Sequence, residues 1–472
     1  MQFAALLLAA LEATYASPNC GPAGGSTPWA CGAWRTRTPP PLGRAGAIMT
    51  DPDTGNRVLR VTQAGSFGED KATAFKVFDG GWQRAWNADG TRFFVVPWGG
   101  RPAHRGYWLS FDARKMKTRS KAAAVPDEFS DFQWDQSDPD LIVGMSRGAA
   151  VAYNVRTKEM ARLFDPAAAR WGGVPRVSAW GGRRVCIAEG PQDTGHRIVC
   201  FHRDTGKAQI IDLREQTIDR RRFPVIFQGK PASLPSTVGI HAITVSPDGR
   251  SVAIDTHGNS MCSVKGLPNY ASTALFLDLD AGAAYEWNTG CGSTHWAYGY
   301  DGVLMQSASA KWTAGGIEAG SCASDSRGIA RRNTDKTVDS SYVQTAPCSF
   351  FARPTWDVSV HLSWTNNHAG PRANAVPVLL ATTSSAGSGC FLANDIAAME
   401  TSTPRGQGRL WRFAQTWNDP VKSQCAFLQY SSPAISPDGR WALFPSNWRG
   451  QTGSGGVCTG GNRTDVFLFE LK

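Results

Sequence analysis

Three histidines, His241, His295 and His361, each stand at the head of a strand-like segment of the same form. Imidazoles brought together from three neighbouring segments can bind a divalent cation and leave positions open for water or a substrate oxygen. The chain holds only eight histidines, so three at one place in a repeat make a candidate metal set. The competing account has each ring hydrogen-bonded to its neighbouring segment as a structural residue. Other polar groups fall where a second strand ends: Trp98-Gly-Gly-Arg101 with His104, His257-Gly-Asn259 after Asp255, and Asn447-Trp448-Arg449. Trp98 and Trp448 are candidates to stack on the flat face of a sugar, with Asn259 and Asn447 as further substrate contacts. Each also has a plainer reading, as a turn, core or solvated residue.

The elements that would position these groups are strands. Runs rich in Val, Ile, Phe and Trp recur between Asp-Gly and Pro-Asp-Gly turns, and helical periodicity is hard to find. The repeating unit is an inner strand, a turn, a hydrophobic second strand, a variable loop and a third strand ending in a polar hairpin. Two copies are clear: His241-Ala-Ile-Thr-Val-Ser-Pro-Asp-Gly-Arg with Ala274-Leu-Phe-Leu-Asp-Leu-Asp, and Pro433-Ala-Ile-Ser-Pro-Asp-Gly-Arg with Thr464-Asp-Val-Phe-Leu-Phe. Weaker copies begin near Arg84, Asp131, Val177, His295 and His361, which makes seven units. The expectation is an all-β, seven-bladed β-propeller, since radial packing buries such repeats without a long open edge. The last unit supplies only three strands, and Asn56–Thr62 would complete that blade and close the ring. Residues 46–472 would form the propeller, after a signal peptide at 1–16 and an extension at 17–45. A pair of β-sandwiches is the structural alternative.

Ser-Pro-Asp-Gly-Arg followed by an apolar strand, present twice, resembles the repeat of the TolB-type propellers. The third strands lack the Gly-His and Trp-Asp signature of WD40 repeats.

Composition narrows the setting. No apolar run reaches the roughly 20 residues that span a bilayer, so no membrane partner is expected. The apolar stretch from Phe3 to Leu11, with Thr14-Tyr-Ala16 after it, reads as an export signal, and the protein is expected to be secreted or periplasmic. The 11 cysteines agree with export, with Cys20/Cys31, Cys186/Cys200, Cys262/Cys291 and Cys322/Cys348 spaced as disulfides rather than metal knuckles. A net charge of +10 favours an anionic partner. Without a basic helix or an RNA-binding signature, an acidic polysaccharide is preferred over nucleic acid. The serine-hydrolase elbow, the His-Glu-x-x-His zinc motif, the phosphate loop and the dinucleotide fingerprint are all absent from the sequence.

The placement of His241, His295 and His361, with Arg and Trp nearby, resembles the propeller-fold polysaccharide lyases, such as oligogalacturonate, rhamnose–glucuronate and ulvan lyases. That resemblance implies β-elimination on a uronate-containing glycan, with a divalent metal cation as cofactor. Arg449, Arg101 or the metal would neutralise the uronate carboxylate, and His257 or His104 would take the neighbouring proton. A monomer is expected. The alternatives are a non-catalytic propeller that grips a glycan or protein, and a glycosidase, which needs two facing carboxylates that nothing in the sequence pairs.

Overall fold

The computed structural model describes residues 21–22, 29–30, 38–68, 73–78, 81–98, 106–119, 122–171, 173–227, 230–234, 236, 238–256, 273–288, 295–300, 304–308, 312–313, 316–317, 328–332, 349–352, 358–370, 373–384, 394–401, 409–419, 432–454 and 462–472. Among the described residues there is no α-helix, and none is long and apolar enough to cross a membrane.

Among the described residues, seven sheets of four or more strands follow one another along the chain. Their first, inner strands are Ala74–Lys76 in sheet 1, Phe129–Trp134 in sheet 2, Pro175–Gly181 in sheet 3 and Ala242–Val245 in sheet 4. Trp296–Tyr298, Val358–Ser363 and Ala434–Ile435 open sheets 5, 6 and 7. From each inner strand the sheet builds outward as an antiparallel meander; among the described residues, sheet 4 alone adds a parallel strand, Val225–Phe227 against Ala283–Asn288. The turns explain this regularity. In Ser246–Gly249 the Asp248 carboxylate accepts the Arg250 amide at 3.1 Å, the Ser246 hydroxyl accepts the Ser251 amide at 3.1 Å, and Gly249 takes φ +75°. Ser436–Gly439 repeats this turn, with Asp438 accepting the Arg440 amide at 3.1 Å, Ser436 accepting the Trp441 amide at 3.0 Å and Gly439 at φ +71°. A left-handed φ is cheap for glycine and strained for other residues, so the motif fixes where each hairpin reverses.

Second and third strands such as Trp441–Ser446 and Asp465–Glu470 are buried at every position, because each sheet is covered on both faces by its neighbours. The apolar core therefore lies between sheets rather than within one. Phe94 of sheet 1 stacks on Trp134 of sheet 2 with centroids 4.9 Å apart. Ile198 and Ile211 of sheet 3 pack with Val252 and Leu275 of sheet 4, and Trp411 and Phe413 of sheet 6 with Phe444 and Phe467 of sheet 7. Sheet 7 packs in turn on sheet 1, where Leu443 and Leu468 share a cluster with Phe75 and Phe93.

The ends of the chain meet in sheet 7. Arg57–Arg60 pairs antiparallel with Asp465–Glu470 and in turn pairs with Ile48–Thr50, so this sheet has five strands rather than the expected four. Two ion pairs fasten the seam: Arg57 Nε lies 2.7 Å from Glu470, and Arg60 Nη2 lies 2.5 Å from the buried Asp465. Cys186 and Cys200 face each other in register across the second and third strands of sheet 3 and form a disulfide. The pairs Cys20/Cys31, Cys262/Cys291 and Cys322/Cys348, and the expected signal peptide, lie outside the described residues.

Candidate functional site

Inner strands begin at the end of the channel where second strands finish, so the residues before the one and after the other share a mouth. His241 precedes the inner strand of sheet 4, and Asp193 stands in the turn after the second strand of sheet 3. Backbone hydrogen bonds join the two segments, Asp193 N to Ile240 O at 3.0 Å and Ile240 N to Gly195 O at 2.8 Å. Gly239 permits this approach: a Cβ there would sit 1.9 Å from the Asp193 carbonyl oxygen. The result is a dyad in which His241 Nδ1 lies 2.8 Å from Asp193 Oδ1, the side chains 26% and 45% exposed. With Nδ1–H donated to the carboxylate, Nε2 carries a lone pair; the Gln192 amide nitrogen lies 2.9 Å from Nδ1 and 3.3 Å from Nε2.

Beneath the dyad, Arg176 donates through Nη2 to the carbonyls of Ile240, at 3.2 Å, and His241, at 2.9 Å, fixing the backbone that carries the imidazole. Burial pushes its guanidinium below the ordinary value, while Asp131 and Asp193 oppose that shift. Asp131 lies further along the channel wall in a bulge of sheet 2, at φ +49°. Its carboxylate accepts Gln83 Nε2 at 2.8 Å and the Ser178 backbone N–H. Burial nevertheless raises its pKa to about 6, against the lowering effect of the Ser178 hydrogen bonds and of Arg176. The mouth thus combines a carboxylate-oriented imidazole, a desolvated guanidinium and a carboxyl group that titrates near neutrality, a set suited to moving a proton beside an anionic substrate.

The histidines expected to bind a metal do not converge on one point. His295 and His361 come together, but as stacked rings with centroids 3.9 Å apart and planes at 23°. The in-plane lone pairs of stacked rings run side by side instead of meeting at an ion. His295 Nδ1 also lies 3.0 Å from the Val360 carbonyl, and His241 is engaged with Asp193. No group of three or more His, Cys, Asp or Glu is placed to hold a metal ion among the described residues. Among the described residues His241 is paired with Asp193, and His295 is stacked on His361.

Two of the expected sugar contacts are core residues. Trp448 is fully buried, stacks on Phe467 at 4.5 Å and donates its indole N–H to the Pro40 carbonyl at 2.9 Å, so neither face is open to a ligand. Asn447 is buried too, its side chain spent on Asp419 and on the Arg449 amide. Apolar burial and a short 3-10 turn, rather than substrate, account for this Asn-Trp pair. Trp98 is half-buried, with the Lys76 ammonium 3.7 Å over its ring. Arg449 is exposed, its guanidinium 5.5 Å from the Trp417 ring centroid. His257, His104, Arg101 and Asn259 lie outside the described residues.

Sequence reasoning passed over Arg176, Asp193 and Gln83. It also placed the inner edge of sheet 1 at Arg84, whereas that edge is split between Ala74–Lys76 and a bridge at Trp86. Between them the chain runs across the channel. A Cβ on Gly81 would lie 2.1 Å from the Trp296 carbonyl oxygen and 2.9 Å from that of Leu362, on sheets 5 and 6. Gly81, Trp82, Gln83 and Arg84 line a small cavity of about 30 Å³ with Gln133, Trp180, Tyr298 and Trp364.

Radially packed, outward-built sheets around a channel, with polar groups at its mouth, define a β-propeller. Comparison with solved structures agrees. The chain is similar to an oligogalacturonate lyase in complex with manganese, at 10% identity over 93% of this chain and 99% of that one, with a TM-score of 0.51. It is also similar to an oligogalacturonate lyase from Vibrio parahaemolyticus, at 10% identity over 92% and 99% of the two chains, with a TM-score of 0.53. At such identity the likeness shows the fold. No family model matches the chain, and no curated protein matches it in sequence.

Proposed function

We propose that the protein is an exported lyase that cleaves a uronate-containing polysaccharide or oligosaccharide by β-elimination, on a seven-bladed ring closed by its N-terminal strand. The observation that carries this reading is the His241–Asp193 dyad at the channel mouth. His241 Nε2 takes the proton on the carbon next to the uronate carboxylate. The electron pair left behind forms the double bond to C4, the C4–O bond breaks, and the departing oxygen takes up a proton from solvent. Asp193 holds the imidazole in the tautomer this needs and stabilises the imidazolium that forms. The cation near the uronate is Arg176, in the role the sequence suggested for Arg101 or Arg449, and the net charge of +10 draws the polyanion in. The described residues do not fit a metal, so no step depends on one.

Incubation with pectate, ulvan, glucuronan and gum arabic, followed by ultraviolet absorbance of the conjugated unsaturated uronate, tests the reading. A rise with at least one polymer, lost in His241→Ala, supports it. A flat trace across the panel from folded protein removes the lyase and leaves a glycan- or protein-binding propeller.

A further inference from the structure

Independently of the chemistry at the mouth, we propose that the opposite end of the channel binds a small monovalent anion of halide size, held by the Arg84 guanidinium and the indole N–H of Trp82. Both side chains leave the segment that crosses the channel, two residues apart, and both line the same space. Inner strands run from the His241 mouth towards this space, since Gln133, Trp180, Tyr298 and Trp364 stand at or just beyond their far ends.

The polar groups around the space divide sharply. Trp180 Nε1 donates to Ser178 Oγ at 2.9 Å, Trp364 Nε1 to the Val376 carbonyl at 2.9 Å, and Gln133 Nε2 to the Trp180 carbonyl at 3.3 Å. The Tyr298 hydroxyl lies 2.9 Å from Ser251 Oγ. Two donors remain: Trp82 Nε1 is buried with no hydrogen-bond partner, and the Arg84 guanidinium has no hydrogen bond or ion pair with any described residue. Asp135, whose charge acts on Arg84, is paired with Arg203 at 2.7 Å. Among the described residues no carboxylate lines the space.

An arginine does not shed its charge under ordinary conditions, and a cation withdrawn from water is costly without a counter-ion. Burial pushes the Arg84 guanidinium below its ordinary value, while Tyr300 and Asp135 oppose that shift. Two of the acceptors are taken as well: Gln133 Oε1 accepts the Arg84 amide at 3.3 Å, and Thr244 Oγ1 accepts Trp296 Nε1 at 3.1 Å. A monatomic anion brings no donor that must find an acceptor, and it suits the positive edges of the indoles.

The test is anomalous diffraction from crystals of the full chain soaked in sodium bromide, with thermal unfolding in chloride against gluconate at equal ionic strength. The proposal expects a bromide peak within hydrogen-bond reach of both Arg84 and Trp82 Nε1, and a higher melting temperature in chloride. Arg84→Gln loses both effects. Trp82→Phe, which keeps the ring and removes only the N–H, weakens halide affinity and serves if Arg84→Gln does not fold. No peak in the wild type, a peak retained in Arg84→Gln, or equal melting temperatures in the two salts overturns the proposal.

Discussion

Replacing Asp131 with Asn should change how stability depends on pH, by an amount that follows from the site. Burial lifts the carboxyl from 3.8 to about 6. The folded protein therefore holds this proton more tightly than the unfolded chain does. The stabilisation is complete below pH 3.8 and is lost as pH rises through about 6. At about 1.4 kcal/mol per unit the whole effect is about 3 kcal/mol, of which about 2 kcal/mol falls between pH 4.5 and 7.5. The replacement amide would accept the Ser178 N–H through its carbonyl but carry no titrating proton. Urea unfolding of both proteins at the two pH values isolates this term, because every other titrating group is common to them. Asp131→Asn should gain about 2 kcal/mol relative to wild type on going from pH 4.5 to 7.5. A difference that stays flat with pH, or that grows towards acid, refutes the reasoning that desolvation outweighs Ser178 and Arg176 at this carboxyl.

Lys76 carries the opposite sign: burial lowers its pKa to about 8, so Lys76→Met should be the more stable protein at neutral pH, by at most about 3 kcal/mol in urea unfolding, with the gap closing as pH rises from 8 to 10.5. At the seam, Asp465 lies buried between Arg60 and Arg463, and Asp465→Ala, which strands two buried guanidinium groups, should cost about 3–5 kcal/mol in the same assay. With an active polymer in hand, His241→Ala should lower kcat by about 10²–10⁴-fold. Asp193→Asn should lower kcat less, leave KM near the wild-type value and displace the pH–rate profile; an unchanged profile contradicts its orienting role.

Most of the scaffold was legible because the two Ser-Pro-Asp-Gly turns carry their own geometry: a side-chain cap on each side of the reversal and a glycine at positive φ. Once these anchored two units, the inner strands of sheets 2, 3, 5 and 6 fell within a few residues of Asp131, Val177, His295 and His361. The pairing of Arg57–Arg60 with Asp465–Glu470 was legible from the missing fourth strand of the last unit. The outer strand Ile48–Thr50 was not, since three residues carry too little pattern.

The site was read less well, for a physical reason. Repeat position tells which strand carries a histidine, but not whether two rings such as His295 and His361 meet edge to edge or face to face. Asp193 and Arg176 act through a loop approach that depends on Gly239, and no spacing in the sequence reports a contact between segments so far apart along the chain. Trp448 shows the converse error, since a tryptophan beside glycine looks exposed until its partners, Pro40 from the other end of the chain and Phe467 across the sheet, are in place.

The central claim is elimination at the His241 mouth, and the mass of the products tests it most directly. An oligouronate of defined length incubated with the wild-type protein should give two fragments whose masses sum to that of the substrate, the non-reducing end of one carrying the new double bond, and His241→Ala should leave the substrate whole. Fragments heavier in sum by one water would mean hydrolysis, and an intact substrate with every oligouronate would mean that the mouth binds without reacting; either result contradicts the account.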